Sequence, residues 1–268
     1  MIMKRILLVF AVIGLTTVAA FGQKKETRRV SGFTGINVSS IFDVTVTKGS
    51  VESLTIEAND EVMPYVRSEV RNNGVLYLYL GKKIGRKVKT IKVSVVMANF
   101  DNVTLSGASR LSANDLFTSA KFKADCSGAS NLMINVNTGK LNIEASDACS
   151  INLKSNVTGD SEFNIAGASN INIELKTVNM KAHFSGSCIV NLNGSATDMK
   201  VNMLGSPIVE AGNLTVKTAS IESAGSSIIT VNASEMLKVK SSGSSTVNYK
   251  GSPVITISGK GKSDVNKI

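Results

Sequence analysis

The feature that most constrains this chain is a four-residue signature returning about every twenty residues through its C-terminal two thirds. It reads SGAS at 106–109 and 127–130, SDAC at 146–149, AGAS at 166–169 and SGSC at 185–188. It continues as LGSP at 204–207, AGSS at 224–227 and SGSS at 242–245. The second residue of each copy defines a column of anchors: Gly107, Gly128, Asp147, Gly167, Gly186, Gly205, Gly225 and Gly243. Their separations are 21, 19, 20, 19, 19, 20 and 18 residues. So regular a step marks a repeat architecture, in which a unit buries its apolar face only by stacking on its neighbours.

The flanks alternate with a period of two, which specifies strands. Four residues after the anchors stand Leu111, Leu132, Ile151, Ile171, Val190, Val209, Ile229 and Val247, all aliphatic. Two and four before them the same parity holds Leu105 and Val103, Ile165 and Phe163, Met203 and Val201. Even offsets therefore face inward and odd offsets outward. Each anchor, with the small residue two beyond it, reads as an inward bend between two strands of one coil, where glycine supplies the dihedrals and leaves room for close approach. Coils stacked at the strand spacing of ~4.8 Å align like positions into ladders. The expected fold is all-β: a single-stranded parallel β-helix, or β-solenoid, of about 20 residues per coil. A left-handed hexapeptide solenoid would place an apolar residue every six positions; this chain does not, so a right-handed coil is expected. A narrow interior of this kind also accounts for aromatics at 5%, no Trp and 22 Gly in 268 residues.

The N-terminus carries a different signal. Met1–Arg5 is a short basic start, and 6–20 is an apolar run followed by Ala20-Phe21-Gly22. This reads as a secretory signal peptide over 1–22, since some 15 apolar residues fall short of the ~20 that a spanning helix needs. No other stretch is apolar enough to cross a bilayer, so the mature chain, 23–268, is expected in the periplasm, on the outer cell surface or outside the cell. Loss of Lys4 and Arg5 lowers the formal net charge from +10 to +8. Export permits disulfides, yet Cys149 and Cys188 stand two coils, roughly 10 Å, apart and Cys126 lies across a bend, so none is expected.

Residues 28–100 lack the anchor, while 101–268 form the regular coils. Phe33–Val38, Phe42–Val46, Leu54–Ala58, Val75–Leu80 and Lys89–Met97 read as strands, and Asn72-Asn73-Gly74 as a turn. Pro64 suits the first residue of a short helix, with Val66 and Val70 on one face. No linker precedes Phe100, so this section is expected to start and cap the solenoid, whose open end would otherwise present strand edges.

Several of these segments carry a resemblance. Phe33-Thr34-Gly35-Ile36-Asn37-Val38, then Phe42-Asp43-Val44-Thr45-Val46 and Lys48-Gly49, resembles the opening of the head GIN domain family. Met63-Pro64-Tyr65-Val66, the Ser-Gly-Ala-Ser coils and the ending Val247–Pro253 are similar to it too. The resemblance covers essentially the whole mature chain. It implies a right-handed β-helix and an envelope location in exported proteins common among the Bacteroidetes, grouped as auto-transporter adhesins. It supplies no catalytic residues, and Asp147 departs from its glycine pattern at one anchor.

β-Helices host polysaccharide lyases and hydrolases, which need clustered acids and bases on one face. Three before the anchors, Asp125 and Glu144 fall on adjacent coils, ~5 Å apart, a retaining-glycosidase separation without an Arg nearby. His183, the one histidine, faces outward with no partner motif. No metal spacing, nucleophile elbow or phosphate loop occurs, and no cofactor is expected. Two features suit binding instead. Lys82, Lys83, Arg86, Lys87, Lys89 and Lys92 form a basic run without one acid between Gly81 and Lys92, which would attract anionic polysaccharide, lipid head groups or nucleic acid. Nucleic acid is disfavoured by export and by the lack of interleaved aromatics. Asn152, Asn172, Asn191 and Asn248 share the outward offset five after the anchor and could offer amides to sugar hydroxyls. The expected function is therefore a non-catalytic envelope protein, an adhesin presenting a solenoid surface to a glycan or a cell-surface protein. A carbohydrate-active enzyme and a structural scaffold are the alternatives.

Overall fold

The computed structural model describes residues 23–81, 90–261 and 263–268. The expected signal peptide lies outside the described residues. The fold is a β-solenoid of about nine turns of roughly 19 residues. Strands Arg110–Cys126, Asn131–Ala145, Asn170–Gly186, Ile189–Gly205, Ile208–Gly225 and Ile228–Gly243 each make most of one coil. One further coil is split into Ser150–Val157 and Asp160–Ile165. All pair in parallel, and the register stacks Leu111, Leu132, Ile151, Ile171 and Val190 in one ladder. Their side chains are entirely buried, as are Val209, Ile229 and Val247 further along it. The alternation in the sequence thus becomes a continuous aliphatic core.

The anchors mark a corner, and one expectation about them is corrected. They do not point inward: Gly107, Asp147, Gly186 and Gly225 are exposed, and only the residues two before and two after are buried. The cause is the backbone. Gly128 has φ +70°, and a Cβ there would lie 2.6 Å from the carbonyl oxygen of Gly107, the anchor beneath. Positive φ rotates the residue out of the strand alternation, so the inward parity skips the anchor and resumes two residues on. Asp147, at φ +66°, is the exception in composition. Asp tolerates this region better than most residues, and its Oδ2 accepts the Gly128 N–H at 3.0 Å.

At three corners the small residue two beyond the anchor makes a hydrogen bond across the corner. Ser109 Oγ donates to the Ser106 carbonyl at 3.0 Å, and Ser169 Oγ donates to that of Ala166 at 3.1 Å. Cys149 Sγ makes the same contact with Ser146 at 2.9 Å. A buried hydroxyl is thereby satisfied within its own turn.

Two anchors escaped the sequence reading. Gly107 stacks on Ser40, which has φ +95°, and Gly261 stacks on Gly243. Ser40 carries the same flanks, with Ile36 and Val38 before it and Phe42 and Val44 after it, all buried. Strand Gly35–Ser40 pairs in parallel with Asn102–Gly107, and Phe42–Lys48 with the start of Arg110–Cys126. On their other side lie Val75–Leu80 and Ile91–Met97, also parallel. The chain therefore builds its second level first, drops below to build the outermost one, and returns past both.

Antiparallel strands close that end. Ser53–Asn59 pairs with Ile91–Met97 and with Gln23–Arg28, and Val66–Arg71 pairs with Val75–Leu80. Charged side chains on Gln23–Arg28 and Val66–Arg71 suit an edge that must not recruit another strand. The short helix is a single 3-10 turn, Met63–Tyr65, with Pro64 inside it. Val66 and Val70 do not share its face; they lie on the strand that follows, where only Val66 is fully buried. Pairing with Val75–Leu80 outweighs the weak helical spacing of two β-branched residues. Phe100 packs edge-on against Phe117 and Phe122, with ring centroids 5.4 and 5.7 Å apart, beside the join to the regular coils.

A candidate binding face

The outward face following the anchor corner carries a row of hydrogen-bonded polar side chains. Asn152, Asn172 and Asn191 lie on successive coils in register. Asn172 Nδ2 donates to Asn152 Oδ1 at 3.2 Å, and Asn191 Nδ2 donates to Asn172 Oδ1 at 2.8 Å. The three amides form a half-buried ladder whose remaining N–H and carbonyl lone pairs face solvent. Asn248 does not join it. Glu210 and Thr230 occupy the intervening positions of that column.

Over the next two outward columns of the strands, the face deepens into a groove of about 440 Å³. Asn135, Asn137, Lys154, Asn156, Glu174 and Lys176 line it, with Leu116 at one end. Lys154 Nζ pairs with Glu174 at 2.9 Å, and Asn137 Oδ1 accepts the Asn156 backbone N–H at 3.1 Å. These residues were missed by the sequence reading, although they are the next outward positions after the asparagine column. The signal was blurred where register jumps from the Ile134–Ala113 pair to the Asn135–Leu116 pair, so that Asn114 and Asp115 bulge. That bulge lengthens the first interval to 21 residues, and Asp115 Oδ2 uses it to accept the Lys48 N–H at 2.8 Å.

The basic run is only partly visible. Lys82, Lys83, Arg86, Lys87 and Lys89 lie outside the described residues. The strands that flank it, Val75–Leu80 and Ile91–Met97, belong to the outermost coil. Lys92 is separate in kind. It is exposed on Ile91–Met97, in register with Asp43 on one side and Glu57 on the other. Its charge has acidic neighbours in space that the linear sequence does not show.

Asp125 and Glu144 do come together on adjacent strands. Lys123 Nζ sits between them, 3.1 Å from Asp125 and 3.2 Å from Glu144. Burial pushes the Asp125 carboxyl above the usual value, against the pull of Lys123. The Asp125 hydrogen bond is the main reason the Lys123 ammonium holds its proton more firmly than usual. The pair is thus an ion triad rather than an acid and a free nucleophile. His183 Nδ1 lies 3.3 Å from Asn202 Nδ2 in the same column. Among the described residues, no three His, Cys, Asp or Glu side chains are grouped to hold a metal ion. No described helix is long and apolar enough to cross a membrane.

An aliphatic strip borders the amide face. Ile189, Ile208 and Ile228 stack outward three after their anchors and are 44%, 38% and 39% exposed; Leu204, one before the anchor Gly205, is 63% exposed.

The sequence matches one family model, described as "Putative auto-transporter adhesin, head GIN domain", over residues 32–169 and 151–253. The chain belongs to the head GIN domain family. Solved structures of similar fold include a "putative adhesin" of Parabacteroides merdae, with 19% identity and a TM-score of 0.73. The alignment covers 93% of this head GIN chain and 97% of that one. A "putative lipid binding protein" of Parabacteroides distasonis is 18% identical, with a TM-score of 0.67 over 93% and 98% of the two chains. At such identities the likeness shows the shared fold. No curated protein matches this head GIN sequence.

Proposed function

We propose that the chain is an exported, non-catalytic envelope adhesin that holds an extended carbohydrate along the amide face. One observation carries this reading: the asparagine ladder runs beside a groove of further amides and a Lys–Glu pair over consecutive coils. A rigid row of amides repeating at the strand spacing offers donors and acceptors to sugar hydroxyls with little ordering cost. Family membership supports an adhesive role at the cell surface. The basic run between Gly81 and Lys92 would draw an anionic polysaccharide toward the same molecule. Tying both carboxylates to Lys123 speaks against the lyase or hydrolase alternative.

A glycan-array and polysaccharide-degradation screen of residues 23–268 tests the proposal. Binding without shortening of the bound chain is expected. Cleavage that disappears in Asp125→Asn or Glu144→Gln would establish the enzyme instead. A second reading has its own observation: the strip of Ile189, Ile208, Ile228 and Leu204 suits an acyl chain, and one similar fold is named for lipid binding. Flotation with neutral vesicles, abolished by Ile208→Ser, would favour it over the glycan.

A further inference from the structure

The corner column sets two thiols at positions whose side-chain tips touch elsewhere in this molecule. Cys126 stands two before the anchor Gly128, and Cys149 two after the next anchor, Asp147. Both point inward and are almost wholly buried, 3% and 1% exposed. At the far end of the column the same pair of positions is held by Ser223 and Ser245, two before Gly225 and two after Gly243. Their hydroxyl oxygens are 2.8 Å apart. Ser130, which shares the Gly128 corner with Cys126, lies with its Oγ 3.5 Å from Cys149 Sγ. Burial raises the Cys126 thiol most, the nearby Cys149 adds to the rise and Ser130 opposes it. The third cysteine is a built-in control: around Cys188 the corresponding positions two before the anchors are Ile165 and Phe184.

We propose that Cys126 and Cys149, free thiols in this structure, close into a disulfide that staples two adjacent coils across the anchor corner when the chain folds in oxidising surroundings. The sequence alone set Cys126 aside because it lies across the bend from Cys149, yet that diagonal is the one that Ser223 and Ser245 span. In the balanced reaction the Cys149 thiolate attacks oxidised glutathione and releases one reduced glutathione. The Cys126 thiolate then displaces the second from the Cys149 sulfur. Two thiols lose two protons and two electrons, and one glutathione disulfide becomes two thiols. Timing follows from burial, which pushes the Cys126 thiol up to about 12, so the folded corner holds almost no thiolate. The bond therefore forms as the corner closes rather than afterwards.

The proposal takes only its oxidising surroundings from the exported reading, and the experiment supplies those in the tube. Residues 23–268 are refolded from urea with oxidised and reduced glutathione, denatured without reductant, alkylated and digested. The expected result is one alkylated thiol per chain, on Cys188, and a linked peptide joining Cys126 to Cys149. Cys126→Ser and Cys149→Ser should each show two free thiols, which reports the linkage even if one variant folds poorly. Three free thiols in the unsubstituted chain, a bond to Cys188, or separate glutathione adducts on Cys126 and Cys149 would overturn the proposal. Any of these leaves the location of the protein untouched.

Discussion

At the residue scale the anchor position decides what the corner accepts. Gly186 has φ +81°, and a Cβ there would approach the Gly167 carbonyl oxygen to 2.7 Å. Gly186→Ala adds a left-handed penalty to a backbone clash and should cost about 2–4 kcal/mol, read as a lowered urea midpoint. Asp147 sits at the same dihedrals but supplies a hydrogen bond to Gly128. Asp147→Gly exchanges that bond for relief of φ and should be nearly neutral, whereas Asp147→Ala loses both and should cost about 1–2 kcal/mol. Equal effects of the two Asp147 substitutions would contradict this account of the corner. Asp125 makes a second prediction at this scale. Its folded carboxyl titrates above the usual value because of burial, so the folded state binds more protons than the unfolded one in that interval. Its contribution to stability is therefore greatest at low pH and declines as pH rises from near 3.8 through the raised folded value. Asp125→Asn should remove that decline from a pH series of urea melts.

Among the elements, ladders carry the energetics. The middle amide of the asparagine ladder makes two neutral hydrogen bonds, and Asn172→Ala should cost about 1–2 kcal/mol. Asn248→Ala, outside the ladder, should stay within about 0.5 kcal/mol. Equal losses at both positions would show that the column is not stabilised by contact between neighbours. Sequence periodicity revealed these strands because inward aliphatics recur at fixed offsets from a residue that no other conformation favours. It failed where elements depart from the step. The bulge at Asn114 and Asp115 hid the groove columns, and the 53–97 excursion separated Ser40 from its partner Gly107. Ser40 lacks glycine, so only its flanks betray the position. Lys92 shows the complementary limit: its acidic neighbours Asp43 and Glu57 are brought there by pairing alone.

For the whole molecule, the solenoid is a rigid rod whose outer columns are fixed by its inner ones. Function then depends on which outer face is polar and ordered, a property legible only once registers are known. The asparagine column was visible in the sequence because it shares one offset, while the groove beside it needed the structure. Charge acts at this scale too. Charge reversal at Lys82 and Lys83 should weaken capture of an anionic polysaccharide by a salt-sensitive margin and leave neutral glycans unaffected. The amide face is the proposed binding surface. Its direct test is calorimetric titration of residues 23–268, and of a Lys154→Ala/Asn156→Ala variant, with the glycan selected by the array. The account predicts saturable binding of an uncleaved ligand by the parent chain and at least a tenfold loss in the equally stable variant. Unchanged affinity in the variant, or a ligand shortened during the titration, would contradict it.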